Sequence, residues 1–370
     1  MKVIIAAAGT GGHINPGIAI ANEIKKKEPN SQIVFIGTNR GLENDLVPRA
    51  GYELKTINAY GINRKINIDN LKRFYNTIKS IGEAKKIIKQ IKPDVVIGTG
   101  GYICVSVGLA ASKCKVPIIL HESNAFPGVA VKILAKKAKV ILTGFSEAKE
   151  RLSKAKEVIV TGTPTKVRNI NMLPEQKQQL KQGLGFEKDL PLVLFFGGSQ
   201  GAKSINESLL TIIKNKMNKN YNILWSAGAN GYENIKQELE KENIDIKNME
   251  TTKVVPYIYN MEEILNTVDL VVARSGAMTI TEIATVGKPA IFIPFPFATE
   301  NHQEYNARVL EKVDAAKIIL DKELTANLLN DNIQNLINNP QNMEQMGKNA
   351  RKIAKTNVEE KIYEIIKSKI

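Results

Sequence analysis

The sequence has few of the residues that build metal centres or disulfide frameworks: two cysteines, Cys104 and Cys114, and three histidines in 370 residues. It contains no CxxC, no HExxH and no Cys/His cluster, and no DxD-type acidic pair follows a strand candidate, so no metal site and no cofactor is indicated. Cysteine this sparse fits a reducing compartment, with both thiols as small buried apolar residues. A Walker lysine motif is missing, as is the aromatic-interleaved basic stretch of RNA-binding sheets, so nucleic acid is not an expected partner. Long apolar runs are also missing. Val95–Ser112 is uncharged for 18 residues, but Gly98, Gly100, Gly101 and Gly108 interrupt it. That stretch reads as a buried strand, a glycine turn and a buried helix start, not as a membrane span. The apolar run Val3–Ala8 is too short for a signal peptide and leads into a glycine-rich loop, so it reads as a first strand.

Acid is scarce relative to base: 37 Asp and Glu stand against 52 Lys and Arg, a net charge of +15. Residues 61–92 hold nine basic residues against two acids, and residues 131–156 hold eight against two. Both segments lie in the first half, which points to a basic face for an anionic partner. In the first segment Leu71, Phe74, Tyr75 and Ile78 share one helical face beside Lys72, Arg73 and Lys79. Core packing and an interfacial membrane helix are both open readings of that face.

At roughly 150 residues per domain the length suggests two domains. Short β-branched runs alternate with Lys-rich helical stretches. Strands are expected at Lys2–Ala8, Gln32–Gly37, Asp94–Thr99, Pro117–His121, Val140–Thr143 and Val158–Thr161, then at Pro191–Phe196, Asn222–Ser226, Leu270–Ala273, Ala290–Pro294 and Lys317–Leu320. Near-continuous apolar strands separated by helices indicate parallel sheets covered on both faces, an α/β fold. Each half opens with strand, glycine turn and helix, so two Rossmann-like domains are expected. The boundary falls where Gly162 and Pro164 punctuate the chain, giving domains 1–162 and 163–342. The tail, about 343–370, carries Met346, Ala350, Ile353, Ala354, Ile362, Ile365 and Ile366 on one helical face and is expected to pack back on the first domain.

Several turns carry chemistry. Gly9-Thr10-Gly11-Gly12-His13 follows a strand and opens a helix, where glycines admit a ligand to the backbone and free N–H groups suit an anion. The helix dipole there disfavours an imidazolium, so a neutral His13 is suited to take a proton. Gly197-Gly198-Ser199-Gln200-Gly201-Ala202 repeats the device, with the Ser199 hydroxyl placed to donate to a phosphate. Arg274-Ser275-Gly276-Ala277 opens a third such helix, and Glu282, over a turn in, is placed to accept from ribose hydroxyls. Gln303 and Asn306 lie one turn apart after Phe295-Pro296-Phe297 and offer amides to neutral sugar hydroxyls. His121-Glu122-Ser123-Asn124 and Thr99-Gly100-Gly101-Tyr102 each end a strand, where an α/β sheet places its ligand crevice.

Together these motifs closely resemble those of the MurG family, the N-acetylglucosaminyl transferases of peptidoglycan synthesis, over nearly the whole chain. The resemblance implies the GT-B fold, two Rossmann-like domains with parallel sheets facing across a cleft. It implies an inverting transfer of N-acetylglucosamine from UDP-N-acetylglucosamine to the C4 hydroxyl of the muramyl sugar of undecaprenyl-diphosphate-linked muramyl-pentapeptide, at the cytoplasmic face of the cell membrane. The partners implied are those two substrates and an anionic membrane surface. Carried over residue by residue, Thr10, Gly11, Gly12 and Asn124 would face the donor from the first domain. Ser199 would hold the diphosphate and Ile258 would flank the uracil. Ala277, Met278, Thr279, Ile280, Thr281 and Glu282 would cover the phosphates and ribose, Gln303 would read the sugar, and His13 would be the base. Gly100, Gly101 and Tyr102 correspond to the acceptor-side loop. One position departs: Lys166 stands where the family usually has Arg, a point charge in place of a planar fork, with Arg168 two residues on. A UDP-N-acetylglucosamine 2-epimerase and a diacylglycerol glycosyltransferase of similar architecture are the alternative readings.

Overall fold

The computed structural model describes residues 1–59, 68–198, 200–246 and 248–370, with the backbone alone at 68–77. Two compact units are present: Met1–Thr165 with Lys355–Ile370, and Lys166–Ala354.

The first unit holds a seven-stranded parallel sheet. Its strands are β1 (Lys2–Ala7), β2 (Gln32–Gly37), β3 (Glu53–Thr56), β4 (Val95–Gly100), β5 (Ile118–Glu122), β6 (Val140–Thr143) and β7 (Val158–Val160). Their spatial order is β3-β2-β1-β4-β5-β6-β7. Strand side chains alternate between faces, and both faces of this sheet are apolar. Ile4 and Ala6 of β1 join one core with Ala84, Ile88, Val107 and Leu134 from the helices above. Val3, Ile5 and Ala7 join the other core, with Ile14 and Ile18 of helix Gly11–Lys27. The uncharged stretch 95–112 is β4 followed by helix Ile103–Lys113. Among the described residues no helix is long and apolar enough to cross a membrane.

The second unit holds a six-stranded parallel sheet: β8 (Leu192–Phe196), β9 (Asn222–Ser226), β10 (Thr252–Val255), β11 (Leu270–Ala273), β12 (Ala290–Phe292) and β13 (Ala316–Ile318), in the order β10-β9-β8-β11-β12-β13. Trp225 is fully buried, and its indole N–H donates to Asn206 Oδ1 at 3.0 Å. Asn206 Nδ2 donates in turn to the Ala227 carbonyl at 2.9 Å, so the buried amide leaves nothing unsatisfied on that side.

Three expectations need correction. The tail is two helices, not one face on a single helix. Pro340–Ile353 belongs to the second unit, with Met346 in its core. Lys355–Ile370 returns to the first, where Val358, Ile362 and Ile366 of helix Val358–Lys369 join the core. The first helix stops at Ile353, Ala354 is already extended, and Asn357, with a φ of 52° that Asn tolerates better than most residues, leads into the second. Burying those three side chains stabilises the docking by about 1.5–3 kcal/mol each. Glu28 adds a polar clasp: it accepts from Lys367 at 2.7 Å, from the Met1 amino group at 3.0 Å and from Tyr363 at 3.0 Å. Those donors, Lys367 first, hold its carboxyl at about 2. Second, two strands, β3 and β10, were not expected. Third, Cys104 is buried as expected, but Cys114 is only half-buried, just past the end of helix Ile103–Lys113.

Candidate active site

Each sheet reverses its strand order once, between β1 and β4 and between β8 and β11. In open parallel sheets the ligand crevice lies outside the carboxyl ends of the strands at such a switch point. The glycine motifs of the sequence sit there in pairs. Gly9–His13 follows β1 and Gly100–Tyr102 ends β4; Gly197–Ala202 follows β8 and Arg274–Ala277 follows β11.

At the first switch point the two turns meet at His13. Its Nδ1 lies 3.1 Å from the Ala8 carbonyl oxygen. A carbonyl only accepts, so Nδ1 carries the ring proton and Nε2 is the basic nitrogen of the neutral ring. The ring lies against the bare α-carbon of Gly100: a Cβ there would come within 2.3 Å of His13 Cδ2. Gly101 is equally tight, since a Cβ would fall 2.7 Å from the Ala8 carbonyl oxygen. Thr99 Oγ1 donates to the His13 carbonyl at 2.7 Å and ties the helix start to β4. Beneath the turn, the Cys104 sulfur lies 3.1 Å from the Gly100 carbonyl oxygen and 3.3 Å from that of Ala6, and burial pushes its thiol up to about 12. This cysteine is a prop, not a nucleophile. Thr10 is the N-cap of helix Gly11–Lys27, but its side chain makes no capping bond, so Gly11 and Gly12 begin a helix without a side-chain cap. Tyr102 is 37% exposed at the rim.

Glu43 supports the first glycine turn, and no sequence motif flagged it. Fully buried, it accepts from the Gly9 amide at 2.9 Å, the Thr38 amide at 2.9 Å and the Thr38 hydroxyl at 2.7 Å. Burial works to raise its pKa, but the Thr38 hydroxyl and the amides outweigh it and hold the carboxyl below the usual range. It therefore stays ionised and pins the first glycine turn.

Asn124 is held by the residue before its neighbour. Glu122 Oε1 accepts from the Asn124 amide at 2.9 Å and from its Nδ2 at 3.0 Å, and Oε2 accepts from the Gly128 amide at 2.7 Å. The side-chain nitrogen of Asn124 is thus bound to Glu122. His121 serves the fold: its Nε2–H donates to the Gly162 carbonyl at 3.1 Å, and burial drives its pKa down to about 4.

In the turns after β8 and β9 two positions admit only glycine. A Cβ on Gly201 would lie 2.2 Å from the Ala227 carbonyl oxygen, and one on Gly228 would lie 2.2 Å from the Gly201 amide nitrogen. Gly228, in the turn after β9, was not anticipated from the sequence. Ser199 lies outside the described residues. Helices Lys203–Lys214 and Ala277–Val286 start behind Ala202 and Gly276, neither of which supplies a side-chain cap, so both N-termini suit an anion. Ala277 is buried, Met278 and Thr279 are half-buried, and Thr281 Oγ1 bonds back to the Ala277 carbonyl at 2.9 Å. Ile280 is fully buried.

Glu282 is half-buried and has no hydrogen-bond or ion-pair partner among the described residues. Desolvation alone pushes its carboxyl up to about 7. An unpaired carboxylate in such a place is costly unless a ligand supplies donors. Ser275 Oγ donates to the Gln303 carbonyl at 2.8 Å, and Asn306 Nδ2 to the Ser275 carbonyl at 3.2 Å, which locks helix His302–Glu311 to this turn. Gln303 Oε1 accepts from the Phe295 amide at 3.0 Å, so its NH2 group is what it can offer a sugar. Ile258, in the loop after β10, is 8% exposed between Tyr257 and Tyr259, whose rings meet edge-to-face 5.0 Å apart. Lys166, the first residue of the second unit, is exposed. Among the described residues no group of three or more His, Cys, Asp or Glu is placed to hold a metal ion.

Two parallel-sheet α/β units, each with glycine-rich turns at its switch point, make the GT-B architecture, and comparison with known proteins shows that the chain is a glycosyltransferase and gives its family. The glycosyltransferase family 28 N-terminal domain matches residues 3–143 and the family 28 C-terminal domain matches residues 192–364. The UDP-N-acetylglucosamine--N-acetylmuramyl-(pentapeptide) pyrophosphoryl-undecaprenol N-acetylglucosamine transferase of Thermoanaerobacter sp. (strain X514) is 45% identical over 368 residues, 100% of each chain. The crystal structure of Acinetobacter baumannii MurG matches with a TM-score of 0.77 at 29% identity over 99% of each chain. A putative UDP-N-acetylglucosamine 2-epimerase from Listeria monocytogenes matches with a TM-score of 0.70 over 99% of this chain and 96% of its own, but at 15% identity it shares the fold alone. The chain belongs to the MurG family of N-acetylglucosamine transferases within glycosyltransferase family 28.

Proposed function

We propose that this chain transfers N-acetylglucosamine from UDP-N-acetylglucosamine to the C4 hydroxyl of the muramyl sugar in undecaprenyl-diphosphate-linked muramyl-pentapeptide. The observation that carries the reading is the helix behind Gly276: an N-terminus without a side-chain cap at the β8/β11 switch point, with the unpartnered Glu282 carboxyl little more than one turn further on. That spacing suits a nucleoside diphosphate, phosphates on the amides and ribose on the carboxylate.

In this reading the second unit binds the donor. Ile258 flanks the uracil, Ser199 and the amides of Ala277–Thr279 hold the diphosphate, and Gln303 donates to a sugar hydroxyl. The family resemblance assigns Thr10, Gly11, Gly12 and Asn124 to the donor as well, and Lys166 of the second unit adds positive charge. His13 Nε2 takes the proton of the C4 hydroxyl, and that oxygen attacks the anomeric carbon. The bond from that carbon to the β-phosphate oxygen breaks with inversion, and the electron pair leaves with UDP. Charge on the departing diphosphate is stabilised by fixed amides and helix dipoles. Gly100, Gly101 and Tyr102 face the acceptor.

The acceptor's lipid anchor requires the enzyme to work at a membrane, peripherally on the cytoplasmic face. Exposed apolar and basic side chains on one side of the first unit's sheet support this. Ile78 is 54% exposed beside Lys79, and Val129 and Ile133 are exposed beside Lys132, Lys136 and Lys137. The side chains of Leu71, Lys72, Arg73, Phe74 and Tyr75 lie outside the described residues. Changing Lys72, Arg73 and Lys79 together to Gln is expected to weaken binding to vesicles containing anionic lipid by about 1 kcal/mol per charge. Unchanged vesicle sedimentation would remove the segment from the membrane face.

The direct test is UDP release from UDP-N-acetylglucosamine with and without the lipid-linked acceptor. Acceptor-dependent release, with the lipid gaining one N-acetylhexosamine, is the expected result. A free UDP-sugar epimer formed without acceptor, or sugar appearing on diacylglycerol instead, would overturn it.

A further inference from the structure

The residue that orders the second switch point lies in none of its motifs. Asp321 opens the short 3-10 turn Asp321–Glu323, shortly after β13. Its Oδ1 accepts from Arg274 Nη1 and, at 2.7 Å, from Ser204 Oγ. Arg274 Nη1 also donates to the carbonyls of Ile293 at 2.9 Å and Pro294 at 3.1 Å, while Nη2 donates to Ser204 Oγ at 3.0 Å. The guanidinium lies 5.6 Å from the centre of the Phe295 ring. Arg274 and Asp321 side chains are only 11% and 20% exposed.

These bonds join chain segments that leave the carboxyl ends of four neighbouring strands. Ser204 lies in the first turn of the helix behind the Gly197–Ala202 turn after β8, and Arg274 follows β11 directly. Ile293 and Pro294 follow β12, and Asp321 follows β13. The network therefore ties the start of helix Lys203–Lys214 to that of helix Ala277–Val286, the two N-termini without a side-chain cap that suit an anion. It also commits Arg274: a guanidinium already donating to a carboxylate, two carbonyls and a hydroxyl is a structural strut, not a loose cation awaiting phosphate.

We propose that Asp321 is a positioning residue for donor binding, setting the spacing of the two anion-binding turns through Arg274 and Ser204. This rests on the donor reading given above. Preorganised amides lose their advantage when their spacing is free to vary, so the loss should appear in donor affinity and in leaving-group stabilisation, not at the acceptor.

The test is a double-mutant cycle with Asp321→Asn, Ser204→Ala and the pair, scored by UDP-N-acetylglucosamine affinity, by KM for each substrate, by kcat and by thermal midpoint. Asp321→Asn keeps the shape and removes the charge. It should weaken donor affinity and raise donor KM by roughly tenfold, with acceptor KM unchanged. Ser204→Ala should do less, and adding it to Asp321→Asn should cost little more, because both act through one network. A lowered thermal midpoint with donor affinity intact would reduce Asp321 to a fold-stabilising role and overturn the proposal. Additive effects on donor affinity would overturn it as well. Wild-type protein that fails to bind the nucleotide sugar would sink the donor reading itself, which the wild-type titration reveals before any variant is made.

Discussion

Replacing His13 with Ala should lower kcat by about 10²- to 10⁴-fold while leaving the donor KM within a few-fold of wild type. The reason is the ring's setting. The Ala8 carbonyl accepts a hydrogen bond from Nδ1–H, and the bare Gly100 and Gly101 backbone admits the imidazole, so Nε2 is left as the basic nitrogen at the start of helix Gly11–Lys27. His13 also has a structural part in the turn, and His13→Gln separates the two roles. Its amide NH2 can still donate to Ala8, but no group is left that takes a proton. Turnover as low as in His13→Ala identifies a base. Turnover restored by Gln would mean that the ring only props the turn.

The second large effect is expected at Glu282. Burial disfavours the charged form and pushes its carboxyl up to about 7, and no donor among the described residues compensates. Below about pH 7 the free protein holds this group neutral, and above it the group is ionised. Two ribose hydroxyls donate best to the ionised form, so the donor KM should rise severalfold as pH falls from 8 to 6. Glu282→Gln should raise KM by roughly 10- to 100-fold, the worth of a charge-assisted hydrogen bond, and flatten the pH profile. Stability follows the same titration with a definite sign. The folded-state pKa lies above the ordinary 4.5, so between about 4.5 and 7 the folded chain binds the proton more readily than the unfolded one. Glu282 therefore destabilises the free enzyme progressively as pH rises through that window, and donor binding should relieve it. A thermal midpoint whose pH dependence is the same in wild type and Glu282→Gln would contradict the assignment, as would a donor KM that ignores pH.

Most of this organisation was legible because it is local. A continuous apolar strand, a glycine turn and a helix start form a contiguous signal, and β1, β4, β8 and β11 each carry it. The two strands that escaped, β3 and β10, each lie at one edge of a sheet, with β7 and β13 at the opposite edges. Glu53–Thr56 is exposed or half-buried along its length, and Thr252–Val255 is mostly half-buried, so neither needs the unbroken apolar run that marks a central strand. The tail misled for a related reason: its apolar spacing continues across residues 354–357, where the extended Ala354 and the left-handed Asn357 separate two helices that belong to different units.

The site divides along the same line. His13 and Glu282 lie in motifs and could be read from them. Glu43 reaches the Gly9 amide across 34 positions, and Asp321 reaches Ser204 across 117, so no local pattern announces either. Gly228 sits in an ordinary turn after β9 and becomes indispensable only because the Gly201 backbone passes against it. Residues that support a site through space have no spacing signature, whereas residues that present backbone to a ligand do.

Calorimetric titration of UDP-N-acetylglucosamine into the protein in the presence of a strong chelator tests the central claim most directly. Fixed amides, helix dipoles and Glu282 should suffice to hold the nucleotide: one donor per chain should bind, UDP should compete with it, and affinity should be unchanged when magnesium is restored. Binding that appears only after a divalent ion is added would contradict the account.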